Sequence, residues 1–307
     1  MDLVALNKEL KDRRNFDVCI YLNKKQKALG KFFKNNALDA VVVPISGGID
    51  SAVVLGIMFE LQKKQIIKKV LPLFIPIRQG TTGQDEARIK AKEIITMYGY
   101  DFNEIDLTQS TIDIINRSIK PKHLSGNDEE WAWGQLASIM RTPVIYYHAA
   151  LLQTEGYRSI VVGTTNRDEG SYIGFYGKAS DGMNDLQPIA DIHKSEVFKI
   201  AHHFGIPQSI LYATPKGDVW DGRNDEQMIG APYWFLELYL LWKEYYTFTD
   251  FLDYNNTTPR TNEQHEQVIK WVENIEKLHK TNLHKYQVGM PGHFVDVMER
   301  KIPGGWQ

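Results

Sequence analysis

The stretch AVVVPISGGIDSAVVLGI, residues 40–57, constrains the fold more than any other part of this 307-residue chain. Ala40 to Ile45 is short, β-branched and apolar, the pattern of a buried strand. Ser51 to Lys64 is apolar at first and charged later, a helix leading away from the loop between them. The same alternation continues along the chain. Val70 to Ile77 is a second strand interrupted by two prolines, and Thr82 to Tyr98 a helix that Thr82 could cap, with Asp85 and Glu86 in its first turn and Gly99 ending it. Phe102 to Leu107 is a third strand, followed by a helix around Ser110–Ile119. A long helix from Trp133 to Gln153 carries Pro143 as an expected kink, and Ser159 to Gly163 is a fourth strand. His193 to Phe204 is a further helix, opened by Asp191. Strands alternating with helices over residues 40–205 predict an α/β fold, a parallel sheet with helices on both faces.

Either side of that region the pattern is helical. Residues 3–36 form one or two charged amphipathic helices, and the chain beyond residue 214 is rich in aromatics and charge. The expectation is one domain over 1–307: N-terminal helices over 1–38, an α/β core over 39–213 and a helical C-terminal extension over 214–307. A formal net charge of −2 gives no electrostatic case for a nucleic-acid partner. The most apolar later stretch, Tyr233 to Trp242, is too short to span a bilayer and contains Glu237; it reads as core or a subunit interface. With Cys19 alone no internal disulfide can form, and the N-terminus lacks a signal peptide's continuous apolar run, so a cytoplasmic protein is expected.

The loop Ser46-Gly47-Gly48-Ile49-Asp50-Ser51 follows the first strand, where ligands bind in a parallel α/β sheet. Two glycines let backbone N–H groups turn toward a ligand, and the serine hydroxyls and helix N-terminus add donors that favour an anion. This is a phosphate cradle, without the lysine and spacing of a Walker A loop. A carboxylate beside phosphates is repulsive unless a cation lies between them, so Asp50 points to Mg²⁺. The plainer reading is a left-handed turn with Asp50 capping the helix. Pro44 is tolerated in a strand only where its missing N–H is not needed, so pairing of the central strand is expected to weaken there.

SGGxDS after a first strand resembles the pyrophosphate loop of the ATP pyrophosphatases, whose fold is of the Rossmann-like adenine nucleotide alpha hydrolase type. Further segments resemble the NAD synthetase family within that group. Gly163-Thr164-Thr165-Asn166-Arg167-Asp168-Glu169 places Glu169 at a magnesium-binding glutamate. Gly174 to Gly182 (GFYGKASDG) looks like the family's GF(Y/F)TKYGDG loop, matching at Lys178 and Asp181. Leu186 to Val197 places Lys194 at an ATP-phosphate-binding lysine, an awkward charge early in a helix. Thr214 to Glu226 is similar to a segment that includes Asp218, and His284-Lys285-Tyr286 stands where the family usually has His-Lys-Arg. Arg78, Gln84, Asp85 and Glu86 resemble an ATP-binding stretch.

The resemblance implies an ammonia-dependent, Mg²⁺-requiring ligase, a homodimer, that adenylates nicotinic acid adenine dinucleotide (deamido-NAD) with ATP. It implies ATP at Ser46, Gly47, Gly48, Asp50, Ser51, Arg78, Gln84, Thr164 and Lys194, and Mg²⁺ on Asp50 and Glu169. The acid would fall to Arg141, Lys178, Asp181, Asp218, His284 and Lys285. Chemistry would rest on Asp50, Glu169 and Lys194. About forty residues precede the loop, too few for a glutamine-hydrolysing domain, so free ammonia is the expected nitrogen source unless a separate chain supplies it. Pro44 stands where the family commonly has glycine, and the other departures fall on the acid half. Residues 134–141 read GQLASIMR where the family has G-N-x-x-A-R-x-R, leaving Arg141 but Ile139 for the first arginine. Lys216 replaces Ser/Thr and Tyr286 an arginine. The same chemistry on another carboxylic acid is one alternative, and an inactive nucleotide-binding homologue another. Trp131, Trp133, Tyr146 and Tyr147 could stack on a ring or pack in the core, and His202-His203 point apart, which speaks against a shared metal.

Overall fold

The computed structural model describes residues 2–78, 81–121, 125–213, 224–246, 251, 253–255 and 261–287. Two helices come first, α1 (Leu3–Arg14) and α2 (Val18–Asn35). The α/β part follows as β1 (Ala40–Pro44), α3 (Ile49–Lys63), β2 (Lys69–Phe74), α4 (Thr82–Met97), β3 (Asn103–Glu104), α5 (Thr108–Arg117), α6 (Asn127–Thr154) and β4 (Ser159–Val161). Then come α7 (Arg167–Gly170), α8 (Lys194–His203), α9 (Gln208–Leu211), α10 (Asp225–Ile229), α11 (Tyr233–Tyr245), α12 (Asn262–Asn282) and α13 (His284–Gln287).

The strands form one parallel sheet in the order β3-β2-β1-β4. Because side chains alternate along a strand, β1 feeds two cores at once. Val41 and Val43 pack with residues of α2, α3, α4 and α8 on one face. Ala40 and Val42 pack on the other against Ala137, Ile145, Ala149 and Leu152 of α6. Helices therefore cover both faces, as the alternation requires. A third apolar cluster joins Leu6 and Leu10 of α1 to α11 and α12. Among the described residues no helix is long and apolar enough to cross a membrane.

The prolines sit where the ladder does not need them. Ile45 N–H donates to Leu73 O at 2.8 Å, so by alternation Pro44 turns its missing N–H toward β4. Pairing with β4 has already ended at Val42↔Val161, whereas pairing with β2 runs on through Pro44↔Leu73. The expected weakening at Pro44 is thus one-sided. Pro72 likewise turns toward β3, one residue before that strand begins at Leu73↔Asn103. Pro76, past the end of β2, has no N–H to donate, and the strand expected over Phe102–Leu107 is confined to Asn103–Glu104. Ile105 and Leu107 still donate singly, to Phe74 O and Pro76 O.

Other expectations shift locally. Thr81, not Thr82, stands at the N-cap of α4, and its hydroxyl turns back to Arg78 O instead of capping. Asp191 does not open α8. It is buried, accepting from Lys25 Nζ at 2.8 and 2.9 Å and from Tyr21 at 2.9 Å. His193 takes the cap position, with Glu196 closing a capping box. The helix α6 continues through Pro143. The Tyr233–Trp242 stripe is core, with Trp234 alone among its residues largely exposed. Trp131 and Tyr147 are exposed, Trp133 and Tyr146 pack against the sheet, and His202 and His203 face solvent.

Candidate active site

The order β3-β2-β1-β4 places a switch point between β1 and β4, where connections leave to opposite sides and a crevice opens beyond the strand ends. The loop after β1 enters it. Gly47 has φ +83°, and a Cβ there would lie 2.5 Å from the Ala87 carbonyl oxygen of α4. Gly47→Ala is expected to cost at least about 1–2 kcal/mol from the left-handed backbone alone, more from the collision, and to lower nucleotide affinity. Thermal unfolding and calorimetric titration check both. Gly48 stands at the N-cap of α3 and offers no side-chain oxygen to the first N–H groups. The serines brace the turn: Ser46 Oγ and Ser51 Oγ lie 3.2 Å apart, and Ser51 Oγ donates to Gly48 O at 3.0 Å. The result is a rigid loop with an open helix N-terminus.

From the other side of the crevice, the chain leaving β4 turns at Gly163 and caps α7 with Asn166, whose Oδ1 accepts from Glu169 N–H at 3.1 Å. The Asn166 amide also donates to Asp50 Oδ1 at 3.0 Å, tying the two strand-end loops together. Lys194, the first residue of α8, reaches between the carboxylates: Nζ is 2.5 Å from Asp50 Oδ2 and 3.3 Å from Glu169 Oε1. The Tyr233 hydroxyl donates to Glu169 at 3.0 Å with Asp225 Oδ2 3.4 Å away, and the Tyr233 ring lies beneath the Lys194 ammonium.

Burial pushes the Glu169 carboxyl up to about 7, helped by Asp50 and Asp225; Lys194 and the Tyr233 hydroxyl pull the other way. Burial also opposes the Lys194 charge, but Asp50 and then Glu169 outweigh it and hold the ammonium above its ordinary range. Behind this group lies a buried ionic cluster. His193 Nδ1 is 2.6 Å from Asp168 Oδ1, and Asp168 Oδ2 accepts Lys194 N–H at 2.7 Å. His193 Nε2 lies 3.5 Å from Glu244, which also accepts from Arg167 at 2.8 and 3.0 Å. Desolvation works against a charged His193, yet Asp168 outweighs it and the imidazole is raised to about 9.

The remaining expected residues divide into groups. Ser46, Gly47, Gly48, Asp50, Ser51, Glu169 and Lys194 come together as described, with Thr164 half-buried on the way out of β4. Arg78, Gln84 and Arg141 gather instead past the end of β2. Arg78 pairs with Glu130 at 3.1 Å over the Trp133 ring, buried Gln84 accepts Ile77 N–H at 3.2 Å, and Arg141 donates to Ile75 O at 3.0 Å. Lys178 and Asp181 are exposed on the loop after Gly174, whose Ala179 carbonyl accepts from Thr142 of α6 at 2.6 Å.

Lys285 grips the start of that loop, donating to Gly174 O at 2.7 Å and to Tyr176 O. Asn282 holds Ile173 O and His279 holds Tyr172 O, each at 2.8 Å, so the C-terminal helices clasp consecutive carbonyls. Burial and nearby Lys178 lower the Lys285 ammonium to about 8, against Asp181. His284 is exposed, and Asp218 and Lys216 lie outside the described residues. Sequence reasoning missed the contributions of Tyr233, Asp225, Asn166, Asp168 and His193. The only local signal was that Asn166 and Asp168 shortly precede Glu169 in one segment, and His193 precedes Lys194.

Known proteins with this pattern are informative. The NAD synthase family matches residues 21–289 of the chain. The NH3-dependent NAD(+) synthetase of Thermoplasma volcanium is 32% identical over 206 residues, 67% of this chain and 77% of the relative. The protein of the same name from Pyrococcus furiosus is 30% identical over 259 residues, 84% of this chain and 89% of its own. A solved structure, an NMN synthetase from Francisella tularensis, superposes with a TM-score of 0.67 at 24% identity, over 91% of this chain and 100% of that one. That last likeness speaks to the fold. By the extent of the match, the chain belongs to the NAD synthase family.

Proposed function

We propose that the chain is an ammonia-dependent NAD synthetase. It adenylates the carboxylate of deamido-NAD with ATP, releasing pyrophosphate, and ammonia then displaces AMP to give NAD. The observation that carries this reading is the meeting of Asp50, Glu169 and Lys194 beside an uncapped helix N-terminus at the β1/β4 crevice. ATP phosphates lie on the Ser46–Ser51 loop, bound by the N–H groups of the loop and of the first turn of α3 and by the serine hydroxyls. Arg78, Gln84 and Thr164 complete the nucleotide side.

Among the described residues no three His, Cys, Asp or Glu side chains are arranged to hold a metal ion unaided. Two hard oxygen donors, Asp50 and Glu169, fit a Mg²⁺ that arrives on phosphate and keeps several waters. When bound, it supplies charge neutralisation on the leaving pyrophosphate. The chain's own residues do the rest. Asn166 orients Asp50, Tyr233 orients Glu169, and Lys194 donates to phosphate oxygens as negative charge builds. A carboxylate oxygen of the acid attacks the α-phosphorus and the bond to the β-phosphate oxygen breaks. Ammonia adds to the acyl carbon, AMP departs with that carboxylate oxygen, and the surplus proton passes to water. No protein nucleophile is required. Family resemblance assigns the acid to Arg141, Lys178, Asp181, Asp218, His284 and Lys285; in the free chain Arg141 and Lys285 hold backbone carbonyls of the neighbouring loops.

Incubation with ATP, Mg²⁺, deamido-NAD and ammonium is expected to yield NAD, AMP and pyrophosphate in equal amounts; absence of NAD overturns the assignment. One observation favours a second reading. Ile139, where the family pattern carries an arginine, is exposed on α6, so the same chemistry could serve a smaller acid. The Francisella relative is named an NMN synthetase. Comparing kcat/KM for the dinucleotide and mononucleotide acids decides between them. The homodimer is supported by Ile112 and Ile114 of α5 and Trp131, Ile139 and Tyr147 of α6, all outward-facing and apolar. Light scattering that reports a monomer at micromolar concentration would contradict it.

A further inference from the structure

The first turn of α8, which carries Lys194, is wrapped by the protein's own carboxylates. Glu196 takes His193 N–H at 2.9 Å, Asp168 takes Lys194 N–H at 2.7 Å, and Glu237 takes Ser195 N–H at 3.4 Å and Ser195 Oγ at 2.6 Å. Anions at a helix N-terminus are favourable, and here they also resolve the awkward position of Lys194. Three buried carboxylates need cations of their own. Two of these come from helix α1. Lys11 Nζ lies 3.3 Å from Glu237. Arg14, the last residue of α1 and almost wholly buried, forks onto both oxygens of Glu196 through Nε and Nη2. Its Nη2 also donates to Asp191 O at 2.8 Å, and Nη1 to Glu244 Oε1 at 3.3 Å.

Arg14 therefore reaches Lys194 by two routes, through Glu196 to the cap of α8 and through Glu244, His193 and Asp168 to the Lys194 N–H. Helix α1 lies before residue 21, where the match to the NAD synthase family begins. We propose that α1 is a working part of the nucleotide site, with Arg14 a positioning residue that sets the start of α8 and so holds the Lys194 ammonium between Asp50 and Glu169. Its catalytic consequence rests on the ATP site proposed above; its structural content does not. Leu6 and Leu10 anchor the same helix in the apolar cluster around α11 and supply the control.

The first readout needs no ligand: the rate at which Lys194 is reductively methylated in the full chain, followed by mass spectrometry. Arg14→Met is expected to raise that rate several-fold, because the ammonium leaves its two carboxylates, while Leu10→Ala lowers the melting temperature without changing it. With ATP, Arg14→Met is expected to lower kcat/KM for ATP by up to about 100-fold, leaving KM for the acid unchanged. Should Arg14→Met fail to fold, the double variant Arg14→Met/Glu196→Met replaces the buried pair by apolar groups of similar length. That variant is expected to fold and still show raised methylation. A folded Arg14→Met or double variant in which Lys194 reacts at the wild-type rate would overturn the proposal. A chain that shows the methylation change but makes no NAD would instead count against the function proposed for the site.

Discussion

Lys194→Met is expected to lower kcat/KM for ATP by about 10²–10³, the scale of losing one charged donor at a site of developing charge. The side chain is nearly buried, and it is the cation that lies between Asp50 and Glu169. Removing it leaves two carboxylates facing one another in a poorly solvated crevice, a loss on the order of 3–5 kcal/mol for a broken buried pair. Part of that cost is relieved, because Glu169, already raised to about 7, takes up a proton. The variant should thus fold, with reduced stability, and turn over far more slowly. Lys194→Arg is not a substitute, since a planar fork cannot occupy the place of a compact ammonium between two carboxylates. Steady-state kinetics beside circular dichroism separates the two losses.

Stability is expected to depend on pH through the cluster behind Lys194, on both sides of neutrality. His193 is raised to about 9 in the folded chain, against about 6.5 when exposed. Its contribution is complete below about 6.5 and is lost as pH rises through about 9; by linkage it amounts to about 3 kcal/mol. Glu244 behaves oppositely. Burial would raise it, but His193, then Arg167 and Arg14, hold it down at about 2. Its contribution is present above its unfolded value near 4.5 and is lost as pH falls through about 2. Glu169, raised to about 7, adds a decline of its own between about 4.5 and 7, so urea midpoints should be highest near pH 4.5, and the alkaline fall between about 7 and 9 belongs to His193. In His193→Gln that alkaline decline should largely disappear; an unchanged slope would show that His193 is neutral in the folded protein.

The parts that were legible in the sequence share a physical reason. The strand Ala40–Pro44, the glycine loop and α3 are contiguous, and each obeys a local rule of periodicity or backbone freedom. Asp50, Glu169 and Lys194 could be nominated because each sits in a short segment with a family pattern. The cluster of Arg14, Glu196, Glu244, His193 and Asp168 had no such signature. Its members are separated by as many as 230 residues, and nothing local distinguishes a buried arginine from a solvated one. Tyr233 was hidden for a different reason. It opens an apolar helix, where an aromatic ring reads as core, and it is core; only its hydroxyl reaches Glu169. Asp191 misled because an aspartate near a helix start reads as a cap, whereas Lys25 and Tyr21, far away in sequence, claim its oxygens.

The central claim is that the carboxylate of the acid is adenylated in the β1/β4 crevice, and the fate of a labelled oxygen tests it most directly. With deamido-NAD carrying ¹⁸O in both carboxylate oxygens, and ATP, Mg²⁺ and ammonium in excess, mass spectrometry of the products follows each atom. One ¹⁸O is predicted in AMP, one in the amide of NAD and none in pyrophosphate. Label in inorganic phosphate, or ADP in place of AMP, would mean that a different phosphorus is attacked and would contradict the account.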